Sequence, residues 1–138
     1  VAATSAVPRT ASAGEKVNPA LAQSAAGRIR GARKQSDGLE KLIEANAFEE
    51  AAVVLEKDPA SGLEKAFVDL VVSNVLTSDD KVAVGTIRRY GLAADALIMK
   101  GGLAAALRDE DEKEGQRYLK LFKDSLDDVI VICSNNAL

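Results

Sequence analysis

Apolar residues recur three or four positions apart in four successive segments of this 138-residue chain. That spacing places them on one face of a helix, and such a face must be buried against a neighbouring element. The composition agrees: 47% of the residues are hydrophobic, many of them alanine, and only 4% are aromatic, which suits close-packed helices better than a β-sandwich. Because short polar links join the segments, we predict an all-α fold, an up-down-up-down four-helix bundle over residues 19–138 with a flexible N-terminal tail over 1–18.

Capping residues predict the limits of the first helix and an interruption in the second. Asn18 is a good N-cap and Pro19 suits the first helical position, so the first helix is expected from Pro19 to about Ala45. In the second segment, Pro59 disfavours the helical conformation of Asp58. Two alternatives follow: a kink within one long helix, or a break after which Asp58 caps a new helix.

The third and fourth segments carry comparable signals. The turn at residues 77–80 (TSDD) offers several N-caps for the third helix. Gly101-Gly102 in that helix indicates either a close backbone approach to a neighbour or an early end. The acids at 109–112 (DEDE) are expected to open the last helix, where the helix dipole favours negative charge, and Asn135-Asn136 is expected to end it.

Large apolar side chains on the apolar faces of the four segments form the expected core. They are Ile29, Leu39, Leu42, Phe48, Leu55, Phe67, Leu70, Ile87, Tyr90, Leu97, Leu119, Phe122, Leu126, Val129 and Ile130.

Composition argues against most catalytic and cofactor chemistry. The chain has no histidine, which removes His-based acid–base catalysis and His-ligated metals. Its single cysteine, Cys133, can form neither an intrachain disulfide nor a cysteine metal cluster. A net charge of −3 argues against a dedicated nucleic-acid binder, and no apolar run approaches the length of a transmembrane span. We therefore expect a protein that is not an enzyme and holds no cofactor or metal.

Charge is distributed unevenly along the chain. Residues 1–46 carry seven basic and four acidic residues, a net charge of +3, so the remainder carries −6. The first helix bears basic residues on the face opposite its apolar stripe, and a basic pair follows on the third; these residues are Arg30, Arg33, Lys34, Lys41, Arg88 and Arg89. Two interpretations stay open: an ordinary solvated face, or a docking stripe for an acidic partner or anionic headgroups.

Three stretches of the sequence resemble the PsbQ family of extrinsic subunits of photosystem II. Leu39–Leu55 (LEKLIEANAFEEAAVVL) is similar to the family's end of helix one and start of helix two, where a short hinge carries an aromatic residue, here Phe48. Arg89–Leu107 (RYGLAADALIMKGGLAAAL) resembles the third helix. Glu114–Cys133 (EGQRYLKLFKDSLDDVIVIC) resembles the terminal helix, with Tyr118 soon after an acidic opening. Within the family, the pattern is most similar to the additional extrinsic subunit of diatom photosystem II.

This resemblance implies a non-catalytic protein of the chloroplast thylakoid lumen, peripheral on the thylakoid membrane and monomeric in isolation. It would dock electrostatically on intrinsic and other extrinsic subunits at the lumenal face of photosystem II, through the six basic residues named above. There it would support the oxygen-evolving manganese–calcium cluster by shielding it and retaining calcium and chloride. Two alternatives remain: a soluble helical adaptor or anionic-lipid surface module and, less favoured, a cation-binding protein that uses the acids at 109–112.

Overall fold

The computed structural model describes residues 16–88 and 102–138. Every regular element in these ranges is helical and neither range contains a strand, which confirms the predicted all-α class. The helices are α1 (Pro19–Glu44), α2 (Phe48–Leu55), a 3-10 turn (Ala60–Gly62), α3 (Leu63–Val72), α4 (Ser78–Thr86), α5 (described over 102–108) and α6 (Glu112–Asn135). Among the described helices, none is both long and apolar enough to cross a bilayer.

The predicted start of α1 is confirmed. Pro19 is the first helical residue, and Asn18 Oδ1 accepts a hydrogen bond from the Leu21 backbone N–H at 3.1 Å. The Asn18 backbone N–H donates in turn to the Ser73 carbonyl oxygen at 2.8 Å, which ties the start of α1 to the end of α3. The helix ends at Glu44, within one residue of the predicted limit.

The second segment is broken rather than kinked, which decides between the two alternatives at Asp58-Pro59. α2 and α3 are separate helices joined by a linker over residues 56–62 that contains the 3-10 turn. Asp58 does not cap α3, because the capping position belongs to Gly62, which has no side chain. The Asp58 carboxylate instead accepts a hydrogen bond from Arg28 Nη1 of α1 at 3.1 Å.

Gln35 of α1 holds this linker through its side-chain amide. Its Nε2 donates to the carbonyl oxygens of Val54 at 3.3 Å and Asp58 at 3.4 Å, and its Oε1 accepts from the Ala60 backbone N–H at 3.1 Å. One side chain therefore contacts three backbone groups in the region where α2 ends and the 3-10 turn begins.

A glycine of α1 lets the linker come close. A Cβ atom added at Gly31 would lie 3.0 Å from Cγ of Pro59, closer than ordinary van der Waals contact. Added Cβ atoms at Gly27 and Gly38 of the same helix would meet nothing within 4 Å. Of these three glycines in α1, only Gly31 is therefore required by packing.

The two ends of the predicted third helix are described: α4 lies at its start and α5 at its end. Thr77 in the predicted turn is the N-cap of α4, since its Oγ1 accepts from the Asp80 backbone N–H at 3.2 Å. Residues 89–101, which include the predicted core positions Tyr90 and Leu97, lie outside the described ranges. At Gly102, an added Cβ would lie 2.6 Å from the Tyr118 ring, so the close approach proposed for Gly101-Gly102 is confirmed at Gly102.

The last helix begins later than its acidic run suggests. Asp111 is its N-cap, and its Oδ1 accepts from the Glu114 backbone N–H at 3.1 Å, so the helix starts at Glu112. The expectation that all four acids open the helix is corrected, because Asp109 and Glu110 form the turn after α5 and Glu110 has a left-handed φ of 55°. The predicted end at Asn135-Asn136 is confirmed.

The described members of the predicted core lie where expected. Ten are buried: Ile29, Leu39, Phe48, Leu55, Phe67, Leu70, Leu119, Phe122, Leu126 and Val129. The other three, Leu42, Ile87 and Ile130, are partly buried and pack against that core. α1 packs against α3 and α6, and α4 packs against the same two helices. These contacts follow a closed path from α1 through α3, α4 and α6 back to α1.

Candidate interaction surface

Arg33 lies at the seam between α1 and α6 and is paired on both sides. Its Nε donates to Asp127 Oδ1 of α6 at 2.7 Å, and its Nη1 donates to Asp37 Oδ1 of α1 at 2.8 Å and to Ser36 Oγ at 3.2 Å. The Arg33 side chain is 27% exposed. It therefore links the two longest described helices.

These contacts shift the pKa values of Arg33 and Asp37. The hydrogen bond to Asp127 raises the pKa of Arg33, and burial opposes this only in part. The hydrogen bond from Arg33 lowers the pKa of the Asp37 carboxyl. Lys123 of α6 adds to this cluster, with its Nζ 3.4 Å from Asp37 Oδ1 and in contact with Glu40 Oε1. Both shifts favour the charged form, so Arg33 and Asp37 stay ionised at neutral pH.

Arg30 also contacts the end of α6. Its Nη2 donates to the Leu138 carbonyl oxygen at 2.6 Å and to Ser134 Oγ at 3.3 Å. Cys133 is buried beside these residues, and burial raises the pKa of its thiol against the opposing effect of the Arg30 charge. The guanidinium thus holds the residues that follow α6 against α1.

The second basic pair is described only in part. Arg88 Nε donates to Glu64 Oε1 of α3 at 2.9 Å, and its Nη2 contacts the same oxygen. This guanidinium therefore links the residues after α4 to the start of α3. Arg89 lies outside the described ranges.

Lys34 and Lys41 differ from the three arginines. Both are exposed on α1, and neither forms a hydrogen bond or salt bridge through its side chain with any residue in 16–88 or 102–138. They are seven residues apart, two helical turns, so they lie on the same outward side of α1. Of the described candidates, these two lysines are directly available to a partner.

Of the described ion pairs that Arg33 and Arg88 form, only the pair of Arg33 with Asp37 could have been predicted from local sequence. Arg33 and Asp37 are four residues apart in a helix, a spacing at which opposite charges meet. The contact between Arg33 and Asp127 spans 94 positions and depends on how α1 and α6 pack. Sequence patterning also missed Lys123, whose side chain is only 16% exposed.

One of the acids at 109–112 takes a structural role at the start of α6. Asp111 caps α6, and Glu114 one turn later accepts two hydrogen bonds from Arg117, which lower the pKa of the Glu114 carboxyl. Within 16–88 and 102–138, no group of three or more histidine, cysteine, aspartate or glutamate side chains is placed to hold a metal ion.

Comparison with known proteins yields no assignment: no family model, no curated protein and no solved structure matches this chain.

Proposed function

We propose that this chain is a PsbQ-like, non-catalytic extrinsic subunit that docks on the lumenal face of photosystem II and supports its oxygen-evolving cluster. The observation that carries the proposal is the resemblance of Leu39–Leu55 to the hinge between the family's first two helices. The geometry of that stretch is compatible with such a hinge: α1 ends at Glu44, three residues follow, and Phe48 begins α2 with its side chain buried.

The proposed architecture is an up-down-up-down four-helix bundle. Support comes from the closed path of contacts through α1, α3, α4 and α6, with α2 and α3 together serving as the second helix. Because the described core of this bundle is filled by apolar side chains, we assign recognition to its surface.

Docking is proposed to begin with Lys34 and Lys41, and Arg89 is proposed as a docking residue from its place in the sequence alone. Exposed, unpaired charges attract an oppositely charged surface over the screening length of the solution, about 8–10 Å at moderate salt. Arg30, Arg33 and Arg88 hold helices together in the free protein, so they would contribute to docking only by exchanging an internal partner for an external one. Lys34 and Lys41 need no such exchange.

Reconstitution with salt-washed photosystem II tests the proposal. The double variant Lys34→Glu/Lys41→Glu should weaken rebinding about tenfold at low ionic strength, because it replaces two attractive charges by two repulsive ones. A matched control is Lys57→Glu/Lys113→Glu, which makes the same change in net charge at two exposed lysines elsewhere. Rebinding should also restore oxygen evolution and reduce its dependence on added calcium and chloride.

Three results would contradict parts of this proposal. Absence of rebinding by the unmodified chain would reject the function itself. Rebinding that is indifferent to salt, or equally weakened by both double variants, would reject docking through Lys34 and Lys41. Binding to anionic liposomes but not to photosystem II would favour the lipid-surface module.

A further inference from the structure

A groove of about 480 Å³ lies between α2 and α5. Its apolar lining comes from Phe48 and Ala52 of α2 and from Ala104 and Leu107 of α5. Phe48 and Leu107 are almost fully buried, whereas the two alanines are partly exposed and leave the space between the helices open. A volume of this size accommodates a few apolar side chains, in the range of ordinary ligand pockets.

Carboxylates surround this apolar lining. Glu49, Glu56 and Glu110 line the groove, and all three are exposed and form no salt bridge with a described residue. Arg108 is the one cationic residue in the lining. Some other described carboxylates, such as Asp37 and Glu64, have a basic partner within the described residues, whereas these three are free to pair with a cationic ligand.

The surrounding sequence strengthens the negative charge. Residues 42–56, which include all of α2, contain four glutamates and no lysine or arginine, and residues 109–112 are all acidic. Both segments meet at one end of the molecule, because a Cβ added at Gly115, near the start of α6, would lie 3.7 Å from Cγ2 of Ile43, near the end of α1. When the flanking bases Lys41, Lys57, Arg108 and Lys113 are included, the two segments still carry a net charge of −4. The groove should therefore attract cationic rather than anionic partners.

We propose that this groove binds a basic amphipathic helix from a partner protein. Apolar side chains on one face of such a helix would pack on Ala52 and Ala104 and on the exposed edge of Phe48, and the small size of the two alanines allows its backbone to approach. Lysines or arginines flanking that face would pair with Glu49, Glu56 and Glu110. The proposal is independent of docking on photosystem II, since none of the five described basic residues proposed for that docking lines this groove.

A labelled synthetic peptide tests the groove with the full chain. The probe is an amphipathic helix of leucine and lysine, and its binding is measured by fluorescence anisotropy. One control peptide replaces every lysine by glutamate, and another keeps the lysines but replaces every leucine by alanine. We expect the probe to bind and both controls to bind at least about tenfold more weakly, because both charge and apolar contact are required.

Matched glutamine variants locate the binding. Glu49→Gln/Glu56→Gln/Glu110→Gln removes the carboxylates of the groove, whereas Glu44→Gln/Glu50→Gln/Glu112→Gln removes the same charge from exposed acids outside its lining. The first set should weaken the probe about tenfold and the second less than about twofold. Equal effects of the two sets, no effect of the first, or undiminished binding of the alanine peptide would overturn the proposal. All substitutions are at exposed positions, and circular dichroism checks that each variant stays helical.

Discussion

α1 meets its neighbours through two different kinds of seam. Towards the linker over 56–62, it offers an uncharged amide and a glycine, and Gln35 and Gly31 contact the linker directly. One exposed ion pair, between Arg28 and Asp58, lies at the edge of this seam. Towards α6, α1 offers charges at the edge of a packed apolar interface, where Arg33 and Glu40 meet Asp127 and Lys123. The first seam depends mainly on close fit and on satisfied backbone groups, whereas the second combines apolar packing with several partly solvated ion pairs.

This difference predicts how each seam responds to substitution. A polar group that satisfies backbone atoms is costly to remove, because those atoms lose a partner that water replaces poorly. Partly exposed ion pairs contribute little each, because water and salt screen them. Substitutions at the linker seam should therefore destabilise the protein more than substitutions of charge at the α6 seam.

The largest effect is expected for Gln35→Ala. The variant loses three hydrogen bonds to the backbone at positions 54, 58 and 60 and should lower the free energy of unfolding by about 2 kcal/mol. Urea denaturation measures this change. Gln23→Ala is the control, because Gln23 is an exposed glutamine of the same helix and should shift stability by less than about 0.5 kcal/mol. Equal shifts for the two variants would show that Gln35 does not hold the linker.

The next largest difference in stability is expected between two glycine substitutions in α1. Gly27→Ala should raise the free energy of unfolding by about 1 kcal/mol, because alanine favours the helix and its Cβ meets open space. At Gly31 the same gain is opposed by displacement of Pro59, at a cost of about 1 kcal/mol or more. Gly31→Ala should therefore be neutral or destabilising in thermal or urea unfolding. A Gly31→Ala variant as stable as Gly27→Ala would refute the close fit.

Arg33→Gln should have a smaller effect, a loss of about 1 kcal/mol at low salt, since both carboxylates it pairs with are more than half exposed. The loss should shrink at high salt because the ion pairs are screened. Lys34→Gln, one residue along the same helix, removes an unpaired charge and should leave stability almost unchanged. A loss that does not depend on salt would mean that Arg33 acts through packing rather than charge.

The smallest predicted effect concerns pH. The pKa of Asp37 is depressed below its ordinary value of 3.8, so its contribution to stability is present above that value and is lost as pH falls through the lower, folded-state pKa. Because the side chain is 63% exposed, this contribution should stay below about 1 kcal/mol. Acid titration of unfolding should show a shallower decline in Asp37→Asn than in Asp128→Asn, an exposed acid outside the cluster. Identical declines would exclude the effect.

Some elements could be predicted because their signals are local. Asn18 and Thr77 each cap a helix by accepting a hydrogen bond from the backbone N–H three positions later. Burial of residues such as Ile29 and Phe122 follows from helical periodicity. The late start of α6 was predicted less well, because in a run of four acids only the geometry of the turn decides which of them caps.

The candidate docking residues were harder to predict. Charge patterning selected Arg30, Arg33 and Arg88 together with Lys34 and Lys41, yet the arginines contact partners at Leu138, Asp127 and Glu64. Those partners lie 108, 94 and 24 positions away, and nothing in a helical wheel of α1 indicates them. The α2–α5 groove was missed for the same reason, since its two sides come from distant segments.

Sequence alone was enough to predict the helical class, Asn18 as the cap of α1, the turn that precedes α4 and the apolar face of each segment, because these depend on interactions within one or two helical turns. Only the tertiary structure shows that the second segment is broken into two helices, that Gly31 and Gln35 contact the linker, and which basic side chains form ion pairs. Those outcomes depend on which helix surfaces come into contact when the apolar faces are buried. The contacts between such surfaces involve residues that are far apart in the chain.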